Sequence, residues 1–509
     1  MKLALSSDIK KIDNLAIFEL GFSEAELVRK SGEAVARAVR GALCAGARVA
    51  VISGSGNNGA DGYAAAEMLL GDYSVEVYDL LPEREKSSAC SAARNAFVAL
   101  GGRVFEYTGD EALARKIGEY DCVVDAVFGT GFRGPLPEKI DRLAKILRES
   151  SAFKVAVDLP LGVCADNATV AENALRVDKT VALSYPKPAH YSYPSREFVG
   201  EVLLDRIGLP LLEIEKRVEL SCEYTDAEWA SKNLPLRDEN SNKGSFGKLL
   251  VITGSEKYKG AALLSLGGAL RSGVGLVSHL GDKALISELL PHLPEVVYTG
   301  IERDSRGRID AAGFSELLQR QTGVLIGCGS DKTDDTNEML RYILSTEGAV
   351  AVLDADAINL LASDEGRELL KNKKRSVVIT PHPLELSRLT GRGVGEINSD
   401  RIGAAMSVAR EYGITVLLKG ARTVITDGER LYINSSGSSA LAKGGSGDVL
   451  AGVIASLAAQ GIEPAVAAAL GAYIHGRAGD ALAKEYSEYG VLPSDLPLAI
   501  AKEIKNILG

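Results

Sequence analysis

Two groups of acids and glycines in this 509-residue chain have the types and spacing to do chemistry. The first is GSGNNGADG at 54–62, where Gly54, Gly56 and Gly59 follow the G-x-G-x-x-G pattern and Asn57, Asn58, Ala60 and Asp61 lie between and beside them. A glycine-rich turn that opens a helix leaves backbone N–H groups free for phosphate, and the helix dipole adds to the attraction. Asp79, near the end of the next apolar run, completes a dinucleotide fingerprint, so a dehydrogenase is one reading. Yet the polar cluster exceeds what a pyrophosphate turn requires. Two further loops, DAVFGTGFRGPL at 125–136 and DLPLGV at 158–163, each begin with an acid, Asp125 and Asp158. Oxygens of Asn58 and Asp125, completed by carbonyls, suit a hard cation such as K⁺, Mg²⁺ or Ca²⁺. The alternative is that the asparagines serve only the turn and Asp125 caps a helix.

The second group is AKGGSGDVLAG at 442–452, in which small residues precede Asp448 and an apolar helix. Such a turn is an anion hole built of amides, and an acid at the helix start can accept a hydroxyl proton as phosphoryl transfer begins. Three glycines within four residues exceed the needs of a helix cap. Upstream, LLKGART at 417–423 offers Lys419 to a phosphate at the end of a buried-looking strand. VLDADAINLL places Asp354 and Asp356 at another strand end, and ITPHPLELSRL places His382 and Glu385 at the next. These four also fit helix capping or a loop histidine satisfied by backbone.

The elements that must position these groups read as α/β. Residues 8–45 carry helical periodicity, and from Val49 short apolar runs alternate with helix-length segments, including 61–71, 88–101 and 138–149. That alternation predicts a parallel sheet covered on both faces, with ligands beyond the carboxyl ends of its strands. A charged stretch from Leu211 to Gly244 lacks the alternation and reads as a connection, although Tyr224 to Trp229 can pack locally. From Gly247 a second α/β series begins, with antiparallel edge hairpins expected around 421–434 and an Ala/Gly-rich helical tail. Domains are expected at 1–212 and 236–509, joined by a linker at 213–235. The halves do not repeat one another in motif order.

Composition narrows the class. Length predicts two or three domains, and 46% hydrophobic with 25% charged residues is globular. A net charge of −10 and a pI near 5.3 oppose nucleic-acid or anionic-membrane partners. Six scattered cysteines without metal-ligand spacing read as core residues in a reducing compartment; Asp8 interrupts the opening residues before an apolar core of signal-peptide length, so none is expected, and no eighteen-residue apolar run occurs. A cytoplasmic enzyme is the expectation.

Taken in order, the motifs resemble the two-domain NAD(P)HX epimerase/dehydratase family, which repairs hydrated nicotinamide cofactors. GSGNNGADG, DAVFGTGFRGPL, DLPLGV and TVALSYPKPAHYSYPSREFVGEVLLDRIGLP resemble its epimerase domain. KGSFGKLLVITGS, KGAALLSLGGALRSGVGLV, VLDADAINLL, ITPHPLEL, LLKGART and AKGGSGDVLAG resemble its dehydratase domain. The resemblance implies a Rossmann-like three-layer domain followed by a ribokinase-like one. It implies that Asn57, Asn58, Gly59, Ala60, Asp61, the loop Gly129, Thr130, Gly131, Phe132, Arg133, Gly134, Pro135 and Asp158 bind the hydrated cofactor, and that Asn58, Asp125 and Leu161 hold K⁺. Asp158 is expected to do the proton work of epimerisation.

In the second domain it implies an ADP site at Lys419, Gly420, Ala421, Arg422, Thr423, Ser438, Gly444, Gly445, Ser446 and Gly447. The hydrated cofactor would lie against Ala262, Gly327, Gly329 and His382, and Asp448 would act as base with Mg²⁺ present. Prokaryotic fused members generally use ADP, yielding AMP and phosphate, and homo-oligomers are common for this architecture. The chain departs from the family at DLPLG, where D-x-P-S-G is usual, at Ala60, at LIGCGSD and at Lys443. Three alternatives remain: a vitamin or sugar kinase fused to a nucleotide-binding domain; a dehydrogenase, which would lack a convincing catalytic partner; and a non-catalytic amino-terminal interaction module.

Overall fold

The computed structural model describes residues 1–509, which divide into two compact units at Cys222/Glu223. In the amino-terminal unit, α1 (Ser6–Phe18) and α2 (Glu24–Arg40) precede the sheet. Ser23 caps α2 by accepting the Glu26 N–H at 3.1 Å, and Leu27, Ala34, Val35 and Val39 form its buried stripe. The strands are β1 (Arg48–Ser53), β2 (Ser74–Asp79), β3 (Arg103–Glu106), β4 (Cys122–Ala126), β5 (Phe153–Val157), β6 (Lys179–Leu183) and β7 (Glu201–Asp205). All pair in parallel in the order β3-β2-β1-β4-β5-β6-β7. Strand order reverses between β1 and β4, so the loops after these two strands open a crevice at the sheet's carboxyl edge. The first is followed by α3 (Asn57–Leu69).

Gly54 shows why this turn is glycine-rich. A Cβ there would fall 2.0 Å from the Val127 carbonyl oxygen, so the β1 loop can press onto the β4 loop only without a side chain. The fingerprint's other partner is spent: Asp79 is buried, 2.5 Å from Lys86 Nζ, and accepts the Leu81 N–H at 3.1 Å.

The carboxyl-terminal unit holds a mixed sheet. Its strands are β8 (Cys222–Thr225), β9 (Lys248–Ile252), β10 (Leu276–Gly281), β11 (Val297–Gly300), β12 (Gly323–Ile326), β13 (Val350–Leu353), β14 (Val377–Ile379), β15 (Thr415–Leu418), β16 (Val424–Thr426) and β17 (Leu431–Asn434). From β8 the order runs β17-β16-β15-β14-β13-β12-β9-β10-β11. Pairing is parallel from β15 through β11 and antiparallel along β15-β16-β17. The antiparallel hairpins are as expected, but β17 is not an edge, because β8 lies beside it. Helices α4 (Lys259–Arg271), α5 (Asp356–Leu361), α6 (Pro383–Thr390) and α7 (Ser446–Ala459) follow in chain order. Helix α7 is buried along nearly its whole length. The stretch 211–235 contains a short helix, β8 and a second helix, Ala227–Asn233, rather than irregular chain. Ile214, Val218 and Leu220 join the first core, and Trp229, Ala230 and Leu234 join the second.

Candidate active sites

The crevice of the first unit encloses a cavity of about 620 Å³. Asn57, Asn58, Asp61, Gly129, Thr130, Gly131, Phe132, Arg133, Pro135 and Asp158 line it, so the structure unites three loops that lie as much as a hundred residues apart in sequence. Asp158 follows β5 with φ +62, a strained backbone for a residue with a Cβ, and Ser184 after β6 shares the strain at φ +65. The Asp158 carboxylate is held by the Leu183 N–H, which donates to Oδ1 at 3.3 Å, and by Lys187. Lys187 Nζ is 2.5 Å from Asp158 Oδ1 and donates to the Leu183 carbonyl at 2.9 Å, with only 1% of its side chain exposed. His190 Nε2 meets the Asp158 carbonyl at 2.7 Å, and burial beside Lys187 pushes His190 down to about 4, so the ring is neutral.

Two further carboxyls face the cavity. Burial first, and Asp158's charge second, hold Asp61 well above the usual carboxylate range. Burial likewise lifts Asp13, on α1, to about 6. Lys187 lies in the segment TVALSYPKPAHYSYPS that resembles the family but carries no assigned role there, and Asp13 and Ser31 lie on helices with no local motif to mark them.

Asp125 at the end of β4 does not cap a helix. Its two oxygens accept the Leu161 N–H at 2.5 Å and the Val127 N–H at 3.3 Å, and burial raises it to about 7 with no cation beside it. The buried Asn58 Nδ2 has no hydrogen-bond partner. The Nδ2 group is a donor and no cation ligand; of the groups here it is the buried carboxylate oxygens of Asp125, without a counter-charge, that are of the kind a hard cation takes.

In the second unit, Asp448 stands in the first turn of α7. Gly445 precedes it at φ +101, where a Cβ would meet Leu264 at 2.5 Å, so only glycine allows this turn. The first N–H groups of a helix have no intrahelical acceptor, which leaves the amides of Gly447 and Asp448 for an anion. Ser446 Oγ is 3.3 Å from His475 Nε2, and burial pushes that histidine down to about 4. Burial, then the charge of Asp354, raises Asp448 to about 7.

Asp354 ends β13 but caps nothing. Its Oδ1 lies 2.7 Å from Lys419 Nζ and accepts from Thr380 Oγ1 at 2.8 Å, while Cys328 Sγ lies 3.6 Å from Oδ2. Ligand oxygens of Asp354 and Asp448 and the Cys328 sulfur lie within 4.8 Å of one another. Lys419 is therefore committed to a carboxylate as well as placed near the glycine turn, since a Cβ on Gly447 would sit 3.5 Å from Nζ. Arg401, buried and unseen in the sequence reading, holds this strand end by donating to the Leu418 and Lys419 carbonyls at 3.0 and 3.1 Å.

His382 is the cap of α6, its Nδ1 accepting the Glu385 N–H at 3.2 Å, while Glu385 accepts the His382 N–H at 2.8 Å. Ala262 on α4 is fully buried under Gly254, and Gly327 and Gly329 take φ +121 and +60 in the turn after β12. In the Lys419–Thr423 segment, Arg422 donates to Tyr224 Oη at 2.8 Å and Thr423 Oγ1 to the Gly420 carbonyl at 2.9 Å. Ser438 Oγ is buried without a partner.

A family model described as NAD(P)H-hydrate dehydratase matches residues 249–502, and one described as YjeF-related protein N-terminus matches residues 24–189. The chain is 33% identical over 521 residues to the bifunctional NAD(P)H-hydrate repair enzyme Nnr of Moorella thermoacetica, covering 100% of this chain and 97% of that protein. Its identity to the protein of the same name from Escherichia coli K12 is 32% over 494 residues, covering 96% and 92%. Among solved structures, a ribokinase-like superfamily protein from Enterococcus faecalis matches with TM-score 0.50 and 27% identity, over 56% of this chain and 96% of that one. An ADP/ATP-dependent NAD(P)H-hydrate dehydratase from Bacillus subtilis, co-crystallised with ATP/Mg²⁺, matches with TM-score 0.49 and 29% identity, over 55% and 97%.

Proposed function

The chain belongs to the bifunctional NAD(P)H-hydrate repair enzyme family, and from that premise we propose that its first unit interconverts the epimers of NAD(P)HX while its second dehydrates one of them to NAD(P)H at the expense of ADP. The observation that carries the reading is Asp448. It is a carboxyl raised to about 7 at the mouth of an amide turn, with Lys419 alongside. Hydroxide is a poor leaving group, and a phosphate ester is a good one. Asp448 takes the proton of the C6 hydroxyl as the phosphoryl group arrives, and a base poised near the working pH suits that step. The amides of Gly447 and Asp448 and the Lys419 ammonium stabilise the charge on the transferring group. Asp354 is the carboxylate that would hold Mg²⁺, whose charge would offset that of the phosphates.

In the first unit the hydrated ring enters the cavity between Asn57–Asp61 and Gly129–Pro135. Asp158, fixed by Lys187 and by the neutral His190, does proton work at C6. Asp125, Asn58 and the Leu161 carbonyl would hold K⁺, whose charge would offset the buried carboxylate. The epimerase thus supplies whichever epimer the dehydratase accepts.

The test is recovery of near-ultraviolet absorbance from a mixture of NADHX epimers with Mg²⁺ and ADP, ATP or neither. Full recovery with ADP, limited to one epimer's share in Asp158→Ala, is the expected result. No recovery with either nucleotide overturns the repair reading, and a stable phosphorylated product would place a vitamin or sugar kinase first.

A further inference from the structure

The amino-terminal cavity is lined by four carboxyls, on Asp13, Glu24, Asp61 and Asp158, with one fully buried ammonium. That ammonium is already assigned: Lys187 Nζ touches Asp158 Oδ1 at 2.5 Å and the Leu183 carbonyl at 2.9 Å. Lys10, Arg84 and Arg133 also line the cavity, and Arg133 turns away to Asp166 at 2.5 Å and to backbone carbonyls. Asp61, in the second turn's approach of α3, has the hydroxyl of Ser31 on α2 as its side-chain partner. The negative groups Asp158 and Asp13 act on it, Lys187 is the positive charge that acts on it, and Glu24 acts in turn on Asp13. Burial and these like charges favour the protonated form of Asp61, whereas Asp158 lies against an ammonium. A carboxyl that favours its proton in the same cavity as one held against an ammonium gives that site a proton donor and a proton acceptor.

Resting on the epimerase reading, we propose that Asp61 is a second catalytic residue of this cavity, the proton donor that carries the C6 hydroxyl away as water while Asp158 receives the proton of the water that adds back. C6 bears both the hydroxyl and the ring nitrogen N1. The Asp61 proton passes to the hydroxyl oxygen and the C6–O bond breaks with its electron pair on the departing water. The N1 lone pair forms a C6=N1 double bond, so C6 becomes planar and loses its handedness. Water then adds to C6 and passes one proton to Asp158, and the π pair returns to N1. One water leaves and one adds, one proton leaves Asp61 and one arrives on Asp158, and exchange of a proton with solvent resets the pair. The Asp158 carboxylate in the same cavity stabilises the cation formed on the ring.

The experiment uses the full chain with ADP and Mg²⁺ on a mixture of NADHX epimers, the two being followed separately by chromatography. In Asp61→Asn the epimer that the dehydratase uses directly disappears at the wild-type rate. Conversion of the other slows about 100-fold or more, with KM for it changed less than about threefold. Unimpaired conversion by Asp61→Asn overturns the proposal. Absence of conversion in the wild type would instead overturn the epimerase reading on which it rests. A second variant guards against a folding defect: Ser31→Ala removes a hydroxyl that favours the ionised form of Asp61, so the alkaline limb of the epimerisation profile moves to higher pH. A merely structural role leaves that limb in place, and an unmoved limb overturns the proposal. In H₂¹⁸O each enzymatic inversion installs solvent oxygen at C6, and inversion without label refutes the C–O route.

Discussion

Replacing Asp448 by Asn is expected to make the carboxyl-terminal unit more stable while abolishing dehydration. Burial, with Asp354's charge second, lifts Asp448 from 3.8 to about 7. A shift of about three units corresponds to about 4 kcal/mol between the two protonation states, and the carboxyl's partial exposure reduces the expected cost to about 2–4 kcal/mol. The folded pKa lies above the unfolded one. The stability associated with this group is therefore complete below pH 4 and is lost as pH rises through about 7. Asn keeps the shape and cannot ionise. The two proteins should melt alike near pH 4.5, and at pH 8 the variant's carboxyl-terminal transition should lie roughly 5–10 °C higher. Scanning calorimetry of the full chain, free of nucleotide and divalent cation, measures this directly. Equal or lower melting of Asp448→Asn at pH 8 would refute the claim that the site holds its base under electrostatic strain.

Two other perturbations address the first unit. Lys187→Met leaves Asp158 without its cation in a place where the two side chains are 1% and 10% exposed; the expected loss is about 3–5 kcal/mol, seen as a lower first melting transition, together with loss of epimerisation but not of dehydration. Retention of both the transition and the epimerisation refutes the assigned pairing. Exchanging K⁺ for tetramethylammonium should slow epimerisation about tenfold or more, and Asp125→Asn should remove the response to K⁺; a wild-type rate indifferent to the cation removes K⁺ from the site.

The chemistry was legible in the sequence where one short segment carries it. The glycine turns, Asp125, Asp158 and Asp448 all stand at strand ends or helix starts, and local spacing is enough to find them. Lys187 and Asp13 were not legible, because each meets Asp158's cavity from a different element, and nothing in PKPAH or DNLAI distinguishes a cavity residue from a solvated one. The same limit left Asp354 undecided between a cap and a working acid, since its decisive partner, Lys419, is 65 residues away. Strands β6 and β7 escaped a reading by apolar runs. KTVAL and EVLLD are five residues each, and β7 forms the sheet's half-exposed edge. The 211–235 stretch looked like a connection because its charged residues face solvent. Its few apolar residues are too sparse for periodicity, yet they seal a core on either side.

Lys419 has three claimants: Asp354, Glu385 at 3.9 Å, and an incoming nucleotide. Its ammonium lies 2.7 Å from Asp354 and within reach of the turn that would receive a phosphate, so carboxylate and nucleotide compete for one charge. An empty site neutralises itself, and a nucleotide arriving alone must strip Asp354 of its only close cation. A divalent ion arriving with the nucleotide relieves that conflict by taking Asp354's side. If the site takes both as proposed, nucleotide and metal affinity would be thermodynamically linked, each raising the other by the same factor. A nucleotide stripped of its metal is disfavoured before any chemistry begins.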